Sequence, residues 1–147
     1  MCLITKKLPE ILKEDLIVYK LLRDDLTSIF QCYPYTLGVT YGKQTLIANI
    51  EIEYFFANNA ANEYYSAKND PDYVRQNLEQ FNLFGYSKGY HFYVSKEKAI
   101  RCMYLHYILV ECIVPRGSTI VYDSTELGVA SQIKIIKILS NENTYQK

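Results

Sequence analysis

The apolar positions of this chain fall into short runs separated by polar punctuation, and very few of them recur at helical spacing. Leu16-Ile17-Val18-Tyr19-Lys20-Leu21-Leu22 is almost wholly apolar and rich in β-branched and aromatic residues, which predicts a central strand. Ile50, Ile52 and Tyr54 alternate with Glu51 and Glu53, a half-buried strand. Tyr90 to Val94 alternates again, so that His91 and Tyr93 share one face and Tyr90, Phe92 and Val94 the other. Tyr107 to Val114, Thr119 to Tyr122 and Ile133 to Leu139 complete a set of about six strands, the last carrying Lys134 and Lys137 as an edge strand does.

Helical signals are fewer. Leu8 to Asp15 fits one helical turn. Asp70-Pro71-Asp72 opens a second segment, in which Tyr73, Val74, Leu78 and Phe81 share a face and predict a helix to about Leu83. Ser95 is a natural N-cap for a third, in which Ala99, Cys102, Met103 and His106 share a face. Together these elements predict an α+β fold in a single domain over residues 1–147, with a mixed or mainly antiparallel sheet and two or three helices. Residues 57–72 are polar, rich in asparagine and aperiodic, and predict a long surface loop. Residues 140–147 read as a flexible tail.

Turn chemistry divides the runs. Gly38 to Lys43 lies between two extended pieces, Gly85 to Gly89 delivers the chain into the histidine strand, and Pro115-Arg116-Gly117-Ser118 closes the strand that follows the third helix. None of these has the glycine order of a phosphate-binding loop.

Composition narrows the function classes. Sixteen basic and sixteen acidic residues leave no net charge, which removes the global field that draws a chain to nucleic acid or an anionic membrane. Fifteen tyrosines without a tryptophan, beside many Asn, Ile and Lys, are the residues of A/T-rich codons, consistent with a viral or low-GC source. Cys2, Cys32, Cys102 and Cys112 lack metal-ligand spacing, and no run reaches the length of a membrane span. The expected setting is a reducing, cytoplasmic one, or host cytoplasm or virion for a viral chain.

The candidate chemistry centres on His91, one of two histidines. Tyr93 shares its face, Ser95 sits at a helix start, and Tyr19, Lys20 and Arg23 come from the first central strand. These six are the candidate ligand-binding residues, with His91 and Glu126 the candidates for catalysis. No histidine spacing points to a metal.

Leu16 to Leu22, Gly89-Tyr90-His91-Phe92 with a capped helix through Ala99, Val110 to Ser118 and Val129 to Ile136 together resemble small domains of phages, bacteria and large DNA viruses that have no agreed activity. The order of a strand ending in a basic residue, a histidine strand, a serine, a helix and a final strand is also similar to the ADP-ribosyltransferase fold, including its RNA 2′-phosphotransferase branch. That resemblance implies NAD held by Lys20 or Arg23 and by His91, Tyr93 and Ser95, with Glu126 orienting the ribose. The chain departs from the pattern in having no arginine clearly within the first strand, no Ser-Thr-Ser triplet after the middle strand, and Glu126 in a turn without a second acid. Three readings follow: a cofactor-free accessory domain binding a protein partner or small ligand; an NAD-dependent transferase or inactive relative; and an assembly protein pairing through its last strand.

Overall fold

The computed structural model describes residues 3–29, 32–42, 52–56, 64–66, 81–86 and 88–141. Its elements run β1 (Leu3–Thr5), β2 (Glu10–Ile11), β3 (Leu16–Arg23), β4 (Thr40–Gly42), β5 (Ile52–Phe56), β6 (Tyr64–Ser66), β7 (Phe81–Tyr86), β8 (Tyr90–Tyr93), helix α1 (Lys96–Arg101), β9 (Tyr107–Val114), β10 (Thr119–Tyr122), β11 (Leu127–Ala130) and β12 (Gln132–Asn141). Every strand pairing is antiparallel.

This corrects the α+β expectation. Among the described residues the fold is mainly β, with one helix of six residues. The segment Leu8 to Asp15 holds the two-residue strand β2, not a helical turn, because β2 pairs with β10 and Leu12 exchanges backbone hydrogen bonds with Gly117 and Ser118 just ahead of β10. Phe81 to Leu83, expected to end a helix, belongs to β7, whose pairing with β5 outweighs local periodicity. The remainder of that predicted helix lies outside the described residues. The third helix stops at Cys102 instead of His106, which has a left-handed φ of 69°. Of the predicted surface loop, residues 64–66 form β6 against β5 and the rest lies outside the described residues. Residues 140 and 141 end β12, and the remaining tail residues also fall outside.

Two sheets result. The smaller has the order β1-β7-β5-β6 and the larger β2-β10-β11-β8-β3-β9-β12-β4. In the larger sheet β11 and β12 lie four places apart, about 19 Å in a flat sheet, yet Ser131 alone joins them. The sheet is therefore rolled up at that end.

The corner is held by polar bonds. Ser131 and Thr119 exchange hydrogen bonds, Thr119 N–H to Ser131 Oγ and Ser131 N–H to the Thr119 carbonyl, both at 2.9 Å. Gln132 Nε2 donates to Ser118 Oγ at 2.9 Å. Gly42 of β4 presses against the same corner: a Cβ there would lie 2.0 Å from the Ser131 carbonyl oxygen and 2.8 Å from the Tyr90 ring, at a φ of 93° that already favours glycine.

The rolled sheet has an inner and an outer face. Val18, Leu22, Phe92, Val110, Cys112, Val114, Ile120, Ala130, Ile133 and Ile135 fill the inner face, drawn from six strands of the sheet. Phe92 lies over Gly128, where a Cβ would come within 2.4 Å of the ring, so the smallest residue is what lets the aromatic fill the interior. Helix α1 covers part of the outer face, with Ala99 buried against Leu21 and Leu109 and with Tyr19 and Tyr93 packed around them. Ser95 caps the helix, its hydroxyl accepting from Lys98 N–H at 3.1 Å.

Candidate functional site

Strand alternation places Tyr19, Leu21 and Arg23 of β3 on the outer face and Val18, Lys20 and Leu22 on the inner one. The strand expected at Leu16 to Leu22 is indeed central, between β8 and β9, and one residue longer, so that Arg23 stands within it. The same alternation in β8 sends His91 and Tyr93 outward and Tyr90 and Phe92 inward. Six residues considered as one site are thus divided by the sheet.

Lys20 is the one charged side chain among the buried described residues, 9% exposed within an apolar interior. The ladder between β3 and β8 is a single pair, Tyr19 with Tyr93. Beyond it the strands part, and the Lys20 ammonium donates to the His91 carbonyl. Its Nζ also stands 5.7 Å from the centroid of the Tyr35 ring, within cation–π range. Burial lowers the Lys20 pKa to about 8, partly offset by Cys112. Burial pushes the Cys112 thiol up to about 12, so it stays protonated and provides no counter-charge.

Three further tyrosines pack around Tyr35, the ring that stands over this lysine. Tyr33 and Tyr35 come from the β3–β4 connection, Tyr41 from β4 and Tyr90 from β8. Their centroids are 5.1 Å apart for Tyr33 and Tyr35, 5.2 Å for Tyr35 and Tyr41, and 6.4 Å for Tyr35 and Tyr90, all edge to face. The arrangement suits the ring quadrupoles. Tyr41 fixes the connection by accepting from Thr36 N–H at 2.7 Å. Tyr35 is buried and Tyr33 is 40% exposed, so the cluster runs from the interior to the surface. Burial, then the neighbouring Tyr33, raises the Tyr90 phenol to about 12, and burial raises Tyr35 further. Both remain neutral.

The outer-face residues have other surroundings. His91 Nε2 lies 3.4 Å from the Tyr86 carbonyl of the smaller sheet. Burial, then the Lys20 charge, lowers the imidazole to about 4, so it is neutral at physiological pH. Tyr93 has its phenol raised by burial and by Cys102 beneath α1. The Arg23 guanidinium donates to the Ile29 carbonyl at 2.8 Å. Glu126 forms an exposed ion pair with Arg101 at 3.2 Å, while its carbonyl accepts from Val94 N–H. The Glu126 carboxylate, His91 imidazole and Lys20 ammonium therefore meet three different environments.

The sequence reading missed Tyr33, Tyr35, Tyr41 and Tyr90 as a group. The local signal was a proline between two tyrosines and a tyrosine beside a left-handed glycine, both devices for fixing where a ring points.

No protein-family model, curated protein or solved structure matches this chain. The fold and site define a class: a rolled antiparallel β sheet enclosing a lysine beside a tyrosine cluster. Among the described residues, no helix is long and apolar enough to cross a membrane.

Proposed function

We propose that this is a binding domain for a small planar ligand carrying a hydrogen-bond acceptor, held among Tyr33, Tyr35, Tyr41 and Tyr90 with Lys20 at the base of the site. The observation that carries this reading is the state of Lys20. An ammonium has three N–H donors, and among the described residues this one meets a single acceptor, the His91 carbonyl, and no carboxylate. Burying a charge so incompletely is costly, and a ligand oxygen would supply what is lacking. The tyrosine rings offer flat apolar walls, and the partly exposed Tyr33 offers a way in.

Placement lends little to the NAD-dependent alternative. Its glutamate is engaged by Arg101 in solvent, and its histidine is turned away from its lysine. For the assembly reading, β4 covers only Gln132 to Lys134 of the last strand, and β12 carries two register shifts against β9, which interrupt a regular pairing edge.

A thermal-shift titration with benzoate, benzamide and benzyl alcohol tests the reading. A ligand at a hundred times its dissociation constant stabilises by about 2.7 kcal/mol. Stabilisation by benzoate or benzamide that disappears in Lys20→Met and weakens in Tyr35→Leu is the expected result. An unchanged melting temperature with all three compounds, or a shift that survives Lys20→Met, would overturn it.

A further inference from the structure

The surroundings of Lys20 match a nitrogen with one N–H. A free ammonium has three N–H groups and a free amine two, while a protonated imine has one. Its surroundings supply one backbone acceptor, the His91 carbonyl, left over where the β3–β8 ladder ends after Tyr19 and Tyr93. The Tyr35 ring stands over the same nitrogen and suits a delocalised cation. Tyr33, Tyr41 and Tyr90 pack edge to face around Tyr35, and the interior around these rings is otherwise largely aliphatic.

We propose that Lys20 forms an imine, capturing a small aromatic aldehyde by condensation with its amine, the iminium N–H then donating to the His91 carbonyl. This rests on the ligand-binding reading above and names its chemistry. The Lys20 lone pair forms the C–N bond and the carbonyl π pair moves to oxygen. One proton passes from nitrogen to the oxygen and a second comes from solvent; the nitrogen pair so freed forms the C=N π bond as the C–O bond breaks, water leaves, and nitrogen keeps one proton. No redox partner is needed. Burial favours the step twice, by raising the share of free amine near neutral pH and by withholding the water that would reverse it.

The test uses the full chain with benzaldehyde and cyanoborohydride at neutral pH, followed by peptide mapping, with benzoate melting shifts measured in parallel. A lysine that loses its proton near pH 8 holds on the order of a hundredfold more free amine at neutral pH than a surface lysine, so one benzyl adduct at Lys20 should form roughly tenfold faster than at any other lysine, allowing for its lower intrinsic nucleophilicity. Denaturant should abolish the preference, and benzoate should compete. Adducts spread over surface lysines, or Lys20 unmodified, would overturn imine formation. If benzoate still shifts the melting temperature in that case, the ligand-binding reading stands alone; if it does not, both fall. Mapping the unmutated chain keeps the result independent of whether Lys20→Met folds.

Discussion

The Lys20 ammonium donates to the backbone carbonyl of His91, although the two side chains project from opposite faces of the sheet. The bond passes through the gap where β3 and β8 cease to pair, so the lysine substitutes for a missing rung of the ladder. It also brings a positive charge near the imidazole and, after burial, helps to lower its pKa.

Stability should respond to alkali through Lys20. Its folded pKa of about 8 is below the ordinary 10.5, so between these values the unfolded chain binds more protons and stability rises with pH. The penalty is complete below pH 8 and gone above 10.5, about 3 kcal/mol in all. Cys112 and the buried tyrosines, with raised values, act in the opposite sense above pH 9. The measurable quantity is therefore the difference between wild type and Lys20→Met in urea unfolding at several pH values. The variant's relative stability should fall as pH rises from 8 to 10; a constant difference would contradict a buried, uncompensated ammonium.

Acid should act through His91. Its folded value of about 4 is below 6.5, so the unfolded chain binds the extra proton and stability falls as pH drops between the two. Partial exposure limits the loss to roughly 2 kcal/mol. His91→Gln, whose amide can still donate to the Tyr86 carbonyl, should lose less stability than wild type between pH 7 and 4.5.

Gly128→Ala should cost about 1–3 kcal/mol, since the new methyl group meets the Phe92 ring. Phe92→Leu in the same chain should recover part of that cost. A double-mutant cycle measures the coupling, and strict additivity would show that the two positions do not share the space.

Glu126→Gln should change stability by less than about 0.5 kcal/mol, because its pairing with Arg101 is exposed. Benzoate binding should be unaffected. A large loss of ligand response on this change would return Glu126 to the site.

Much of the outline was legible in the residues. The run at Leu16 to Leu22 has the composition of a central strand, and β3 is one; the alternation in Tyr90 to Tyr93 assigned His91 and Phe92 to opposite faces; Ser95 caps a helix. Alternation fixes facing by backbone geometry alone, and capping is settled within a few residues. Helix content was overestimated because Leu8 to Asp15 and Phe81 to Leu83 take their backbone partners from strands far away in sequence, which local periodicity does not register.

The candidate site was legible only in part. Lys20 and His91 could be named from their strands, but a shared face could not be checked until the register of β3 against β8 was known. The sequence by itself determined which residues are apolar, which alternate and where turns fall, because those properties depend on covalent structure and near neighbours. The tertiary structure decided that Ser131 rolls the sheet, that the rolled interior encloses Lys20, and that Tyr33, Tyr35, Tyr41 and Tyr90 gather above it. Those relationships come from strand order and long-range pairing, and it is burial in that enclosed interior that lowers the pKa of Lys20.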